Sequence, residues 1–446
     1  MDRRAFLLLT FAGAADPGPG PLNLSAPAPA APDTVATTGS GDPTFDDWAS
    51  DFLSRAARTG APIEVMRREF VGLTADPRIV ALDARQPEFS KPVGDYVKGA
   101  VTDARLASAR THMAAVTQLP AIARQYGVPA DVLVSVWAME SGFGAVMGDF
   151  DVLRSLATLA AAGRRRAWAE AQITALIQII ASGEASRAQL KGSWAGAMGQ
   201  TQFEPETFLT TAVDGDGDGR RDIWASPADA LASAANLLAK AAWAAEESWQ
   251  AEVILPAGFD YGLAEGERRT PAAWAALGAH RANPGQGRPG DAAAAAQLLL
   301  PAGAAGPAFL VFPNHFVIRK YNNSVAYALA VGLLADRLAG APPLARAWPP
   351  EIALSLADRI AAQQSLAKLG FDPGAADGLV GANTRTALRG WQKARGLPAD
   401  GYLSVDLVGR LVAEATLGVA APAAPQVPTV AAPAPPATAP QPGPRR

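Results

Sequence analysis

Apolar residues recur at helical spacing, or in nearly unbroken runs, through residues 46–59, 103–126, 131–139, 165–182, 226–243 and 325–338, and each stretch predicts a helix. Two starts are marked. Pro129 stands just ahead of Asp131, and Ser226-Pro227-Ala228-Asp229 offers a capping hydroxyl, a first-turn proline and a carboxylate three residues after the cap. From 251 to 322 the pattern changes to Gly/Pro turns between short apolar runs, including Phe309-Leu310-Val311-Phe312 and Phe316-Val317-Ile318, which predicts a small sheet beside the helices. Paired prolines, Pro342-Pro343 and Pro349-Pro350, interrupt any helix and divide the chain. Beyond them, short helical patterns alternate with Asp377-Gly378 and Asp400-Gly401, where glycine supplies a positive backbone angle and the turn is expected to cap the following helix. The fold class is therefore α+β, mainly α.

The ends of the chain have another character. Arg3-Arg4, the apolar stretch from Ala5 to Phe11 and the small residues after it resemble an export signal over 1–15, of general secretory or twin-arginine type, although a frayed amphipathic terminus would also fit. Residues 16–43 and 418–446 are rich in Ala and Pro, too poor in large apolar groups to repay ordering, and are expected to be disordered. The folded blocks are then 44–340 and 351–417, with 341–350 as linker. At 446 residues two folded units are expected, and a monomer suffices. No apolar run is long enough to span a membrane. A net charge of -3 with interspersed signs gives no field for nucleic acid phosphates. The chain has no Cys, and its 3 histidines lie far apart, so thiolate chemistry and a His/Cys metal centre are excluded. Carboxylates, hydroxyls and amides must carry the chemistry.

One carboxylate is singled out by its setting. Residues 132–139 are apolar almost all round, so their helix should be buried, and Glu140 stands at its C-terminal end before Ser141-Gly142-Phe143-Gly144. Low polarity and the negative helix pole both disfavour the anion, and a glutamic acid kept protonated near neutrality suits glycosidic cleavage, where the departing oxygen needs a proton. A Glu bonded to a nearby amide is the plainer alternative.

Glu140-Ser141-Gly142-Phe143-Gly144 resembles the catalytic motif of lysozyme-like lytic transglycosylases. The run from Lys191 through Gly192-Ser193-Trp194 and Gly199-Gln200-Thr201-Gln202-Phe203 to Glu204-Pro205 resembles the second motif of the membrane-bound lytic transglycosylase B family, and Tyr321-Asn322-Asn323-Ser324 with Tyr327-Ala328-Leu329 resembles the third. The resemblance implies a lysozyme-like catalytic domain that breaks the β-1,4 bond between N-acetylmuramic acid and N-acetylglucosamine of peptidoglycan strands and leaves 1,6-anhydro ends. Glu140 would be the sole acid and base, with no cofactor for catalysis. It also implies that Ser193 and Gln202 bind the sugar, that Tyr321 and Asn322 hold the acetamido group and Glu140, and that Arg165 and Arg166 form a basic pair facing the cleft. Asp149 and Asp151 are rival second carboxylates, with turn or cap bonding as their alternative. A hydrolytic muramidase and a non-catalytic wall-binding protein are the competing functions. The lipid-attachment cysteine of many relatives is absent, so a protein of the periplasm without a lipid anchor is expected.

Asp214-Gly215-Asp216-Gly217-Asp218-Gly219-Arg220 places carboxylates at alternate positions with glycine sixth, as in the first half of an EF-hand loop, but Ala225 stands at position twelve. Relatives close a similar loop from the next helix, where Asp229 is the matching residue. The expected ligands of a structural Ca2+ are Asp214, Asp216, Asp218, Arg220 and Asp229, against a solvated Asp/Gly turn. Finally, 351–417 resembles a three-helix peptidoglycan-binding domain, whose tethering would raise the local substrate concentration.

Overall fold

The computed structural model describes residues 39–85 and 91–418; the export signal, most of the 16–43 segment and the tail after 418 lie outside them. The chain opens with α1 (Pro43–Ala57), α2 (Ile63–Phe70), α3 (Pro77–Arg85), α4 (Val93–Ala100), α5 (Asp103–Ala115), α6 (Leu119–Tyr126) and α7 (Ala130–Ser141). The helix predicted over 103–126 is thus two. Pro120 lacks an N–H, and its ring would strike the carbonyl four residues back, at Val116, which takes an extended conformation instead (φ -94, ψ 92).

A two-residue strand β1 (Phe150–Asp151) leads into α8 (Val152–Ala161) and α9 (Arg166–Ala181), and β1 pairs antiparallel with β2 (Lys191–Gly192). Then come α10 (Pro205–Thr211) and α11 (Pro227–Lys240), the latter begun by Ser226, whose side chain accepts from Asp229 N–H as the sequence signal predicts. Helices α7 and α8 are buried on nearly every side, and with α1, α9 and α11 they form the main apolar core.

The expected small sheet exists as β3 (Gln250–Ile254), β4 (His280–Arg281), β5 (Gln297–Leu299) and β6 (Ala308–Val311), ordered β4-β3-β6-β5 and antiparallel throughout, with α12 (Pro271–Ala276) between β3 and β4 in the chain. Alternation sorts its side chains: Phe309 and Val311 join the helical core, whereas Leu310 and Ala308 join a second cluster around Trp274 and Phe312. The run Phe316-Val317-Ile318, read as strand, is instead inside α13 (Pro313–Tyr321). Three apolar residues cannot tell the two periods apart; Asn314, Val317, Ile318 and Tyr321, buried at helical spacing after Pro313 in the first turn, can. The block ends with α14 (Val325–Leu338), which packs along α7.

Residues 341–350 do not hang free. Both oxygens of the buried Glu252 carboxylate accept backbone N–H groups of this segment, from Ala345 at 2.8 Å and Arg346 at 2.9 Å, and Trp348 packs against Phe309. The C-terminal unit consists of α15 (Leu356–Lys368), α16 (Ala382–Ala394) and α17 (Val405–Leu417) around Leu366, Leu388, Trp391 and Leu411. Gly378 and Gly401 have φ +79 and +72, as the Asp-Gly turns require. The aspartates do not cap the helices, however. Asp377 and Asp400 accept the N–H two residues on, while the caps are Gly381 and Ser404. Each turn is held from inside by a buried glutamine: Gln363 accepts from Gly378 N–H at 2.8 Å and Gln392 from Gly401 N–H at 2.9 Å. Docking onto the larger block is polar. Glu265 pairs with Arg385 and Arg389, both at 2.7 Å, and Asp400 accepts from Ala304 N–H at 2.8 Å.

Candidate active site

Glu140 occupies the last turn of α7, where burial of Val132 through Ala138 draws the helix end into the core and leaves the Glu140 residue 3% exposed. Burial pushes its carboxyl up to about 8, opposed by the Tyr327 phenol, which donates to Oε1 at 2.5 Å. At neutral pH the group is therefore an acid that holds its proton. Tyr96 of α4, itself raised to about 12 mainly by burial, and the buried Tyr321 both feel the Glu140 charge. Neither Asp149 nor Asp151 acts on it. Asp151 caps α8 through Arg154 N–H at 3.0 Å and pairs with Arg187 at 3.1 Å, and Asp149 is exposed. The setting is one carboxyl among phenols.

The chain leaves α7 through strained backbone. Gly142 has φ 57, and Phe143, a bulky residue, shares the left-handed region at φ 65, with its ring stacked on His112 at 4.2 Å. Gln202 in the second motif is likewise at φ 52. Left-handed backbone at large side chains costs on the order of 1–3 kcal/mol and persists only where its surroundings hold it. Here they do. Gln200 ties the two motifs by accepting from Trp137 Nε1 at 2.9 Å and donating to Trp224 O at 3.1 Å. Gly148 and Gly192 meet backbone to backbone: a Cβ on Gly148 would lie 2.1 Å from the Gly192 carbonyl oxygen.

The residues expected to bind sugar fall into different situations. Ser193 Oγ accepts from Ala195 and Ala197 N–H at 3.3 and 3.1 Å, which occupies its lone pairs and leaves its own O–H to donate. Gln202 donates to Met147 O and Gly199 O, and its Oε1 is buried without a partner. Asn322 follows α13 in extended conformation, its carboxamide unbonded among the described residues. Tyr321 does not hold Glu140: its hydroxyl donates to Thr201 O at 2.7 Å and fastens the second motif to α13. That role belongs to Tyr327, in the first turn of α14, because α14 rather than α13 lies against α7. The expected basic pair is split. Arg165 lies over Trp168 and Trp194 at 4.7 and 5.7 Å and bridges to Asp83 at 3.1 Å, whereas Arg166 is exposed and donates to Ala160 O.

Sequence reasoning missed Tyr327, Tyr96 and Gln200 as working residues. Gln200 and Tyr327 stand inside the second and third family motifs, so their positions were visible but not their partners. Tyr96 sits in a short helix of weak pattern and gave no signal.

In the loop before α11, the Asp214, Asp216 and Asp218 carboxylates converge with that of Asp229, each offering an oxygen within 4.8 Å of the others. Asp229 bridges the loop, accepting from Gly215 N–H at 2.8 Å and Asp222 N–H at 2.6 Å, and is raised by burial and by the charges of Asp216 and Asp214. The gap left by Ala225 is closed from α11. Arg220 is exposed, and its N–H donates to Asp218.

The sequence profile of the Transglycosylase SLT domain matches residues 44–336, and that of a peptidoglycan binding domain matches 355–411. The chain belongs to the SLT transglycosylase family. The chain is 33% identical over 215 residues to membrane-bound lytic murein transglycosylase B of Escherichia coli strain K12, a match that covers 48% of this chain and spans 58% of that relative. Among solved structures, SltB3 of Pseudomonas aeruginosa in complex with NAG-anhNAM-pentapeptide is 47% identical with TM-score 0.79, over 83% of this chain and 100% of that one. The Escherichia coli lytic transglycosylase Slt35 in complex with calcium is 25% identical with TM-score 0.56, over 66% and 94%. The lysozyme-like SLT fold and the C-terminal helical domain of the peptidoglycan-binding type agree with the sequence reading.

Proposed function

We propose that this SLT transglycosylase cleaves the β-1,4 bond between N-acetylmuramic acid and N-acetylglucosamine in peptidoglycan, with Glu140 as sole acid and base. The carrying observation is a buried, proton-holding carboxyl with one phenol donor and no second carboxylate acting on it. Glu140 gives its proton to the bridging oxygen as the bond to the muramic anomeric carbon breaks. The 2-acetamido group shares the positive charge left on that carbon. The Glu140 carboxylate then takes the proton of the sugar's own 6-hydroxyl, whose oxygen bonds to the anomeric carbon and closes the 1,6-anhydro ring. Tyr327 donates to the anion between the two steps, which is when an anion in this setting most needs a donor. The anhydro sugar bound in the SltB3 complex is the product form that this reading requires. The unpartnered Gln202 Oε1, the remaining Ser193 O–H and the unbonded Asn322 carboxamide are the polar groups offered to sugar.

The convergent Asp214, Asp216, Asp218 and Asp229, with the Arg220 carbonyl, suit a structural Ca2+, a reading supported by the calcium complex of Slt35. The ion would relieve like-charge repulsion and pin the loop to α11, away from the chemistry. Action in the periplasm follows from the substrate; no helix among the described residues is long and apolar enough to cross a membrane. The test is digestion of purified sacculi by wild type and Glu140→Gln with mass analysis of the fragments. Wild type should release ends one water lighter than reducing ends, and the variant should release almost none. Reducing ends from wild type would turn the assignment to a muramidase.

A further inference from the structure

Beneath the 341–348 segment, at the end of α14 away from Tyr327, two adjoining hollows of about 320 and 450 Å³ share Gln250, Glu252, Asn283, Asp336 and Pro342 as walls. Neither contains any residue assigned to catalysis or calcium. Their ends carry opposite charge that is not neutralised across the groove. At one end stand Lys98, Arg337 and Arg346. Arg337 has no salt bridge among the described residues, Arg346 Nε donates to Ala305 O at 3.1 Å, and Lys98 reaches only the exposed Asp95 at 3.4 Å. Asp131 and Glu247 line only the other hollow, while Asp336 and Glu252 stand between the two, both Glu252 oxygens already taken by backbone N–H groups. Asp336 accepts only neutral donors, Trp249 Nε1 at 2.9 Å and Gln250 Nε2 at 3.1 Å, and Glu247 Oε2 and Gln250 Oε1 are buried with no donor at all.

Two further arginines line the acidic end without cancelling it. Arg281 is taken by Asp291 at 2.7 Å, and Arg288 donates to Ala245 O and reaches Asp131 and Asp336 only through the longer-range field. Burial raises both of those carboxyls. Elsewhere the protein pairs its charges closely, as in Arg55 with Glu170 at 2.8 Å and Arg164 with Asp83 at 2.7 Å. A groove that keeps carboxylates and surplus acceptors toward one end, and cations without a buried carboxylate partner at the other, complements a ligand with an ammonium and a carboxylate held apart.

We propose that this groove is a second binding site, separate from the bond-cleaving centre, for a zwitterionic peptide: the stem peptide of peptidoglycan, its side-chain ammonium toward Asp131 and Asp336 and its terminal carboxylate toward Arg337 and Arg346. The choice of stem peptide rests on the reading of this chain as a murein enzyme; the charge geometry does not. A site of this kind would hold a strand by its peptide while the glycan is cut elsewhere, so its loss should weaken affinity for peptide-bearing strands and leave cleavage of peptide-free glycan alone.

The experiment is calorimetric titration of the full chain with the free tripeptide L-Ala-γ-D-Glu-meso-diaminopimelate, which offers no bond for Glu140 to cut. The expected result is saturable, salt-sensitive binding, weakened roughly tenfold by Asp336→Asn and by Arg337→Gln. Acetylation of the diaminopimelate amine should weaken it similarly. Arg337→Gln, at a half-buried position in the last turn of α14 with no salt bridge to lose among the described residues, guards against a folding defect in the Asp336 variant. Glu140→Gln should bind as wild type does. No saturable binding, equal binding by both groove variants, or equal binding of the acetylated peptide would overturn the proposal. Sacculus digestion by the same wild-type sample scores the catalytic reading independently, so either can fail alone.

Discussion

The antiparallel pair α7 and α14 carries a buried carboxyl at each end of its contact, and the two are not alike. Glu140 meets one donor, the Tyr327 hydroxyl, and is pushed up to about 8; Asp336 meets two N–H donors and is pushed only to about 6. Burial drives both shifts, and the donor set decides where each group settles. The lesson is that this fold tunes one carboxyl to stay protonated at neutral pH and lets the other ionise in nearly the same surroundings. Only the first can serve as an acid there.

The comparison breaks most sharply at Glu140→Gln, which removes the acid and keeps the shape. Cleavage of sacculi should fall by at least 10²–10⁴-fold while the melting temperature holds or rises, since a raised acid opposes folding whenever it must ionise. A variant that keeps more than a tenth of the rate would show that Glu140 is not the acid. The pH profile is next. Glu140 sits at about 8 against 4.5 for an ordinary glutamic acid, so the needed protonated form persists at neutrality and is lost as pH rises through about 8. A turnover that declines instead between pH 4 and 6 would mean an unshifted group. Tyr327→Phe removes the one donor, which had been lowering the Glu140 value, so the alkaline limb should move upward while the rate falls by roughly 10- to 100-fold. Asp336→Asn sharpens the contrast from the other side. Asp336 rises from 3.8 to about 6, so its neutral form favours the folded state, and wild-type stability should fall relative to the variant as pH climbs through that interval, with cleavage of peptide-free glycan unchanged. The smallest effect concerns calcium: adding it should raise the melting temperature by a few degrees at concentrations well above its dissociation constant, and Asp229→Asn should abolish that rise without altering turnover on peptide-free glycan.

Much of this was legible in the chain. The buried helix that ends at Glu140, the glycine turns and the acidic loop all follow from local pattern, because burial periodicity and turn chemistry are properties of neighbouring residues. The partner of Glu140 was not. Tyr321 and Tyr327 lie six positions apart in one motif, and which of them reaches the carboxyl depends on α13 ending at 321 and on α14 packing along α7, a fact of tertiary structure. Arg165 and Arg166 were inseparable in sequence for the same reason; the start of α9 turns one over Trp194 and the other to solvent. The strand predicted at 316–318 failed because a three-residue apolar run has no period of its own. The groove beneath 341–348 left no local trace, since its walls come from α4, β3, α14 and a segment expected to be a mere linker.

The central claim is that one protonated carboxyl drives cleavage and that the sugar's own hydroxyl, not water, closes the reaction. Digestion of sacculi in heavy-oxygen water, with mass analysis of the muramic ends, tests it directly. The account predicts anhydro ends free of label from wild type and almost no new ends from Glu140→Gln; labelled reducing ends, or undiminished cleavage by that variant, would contradict it.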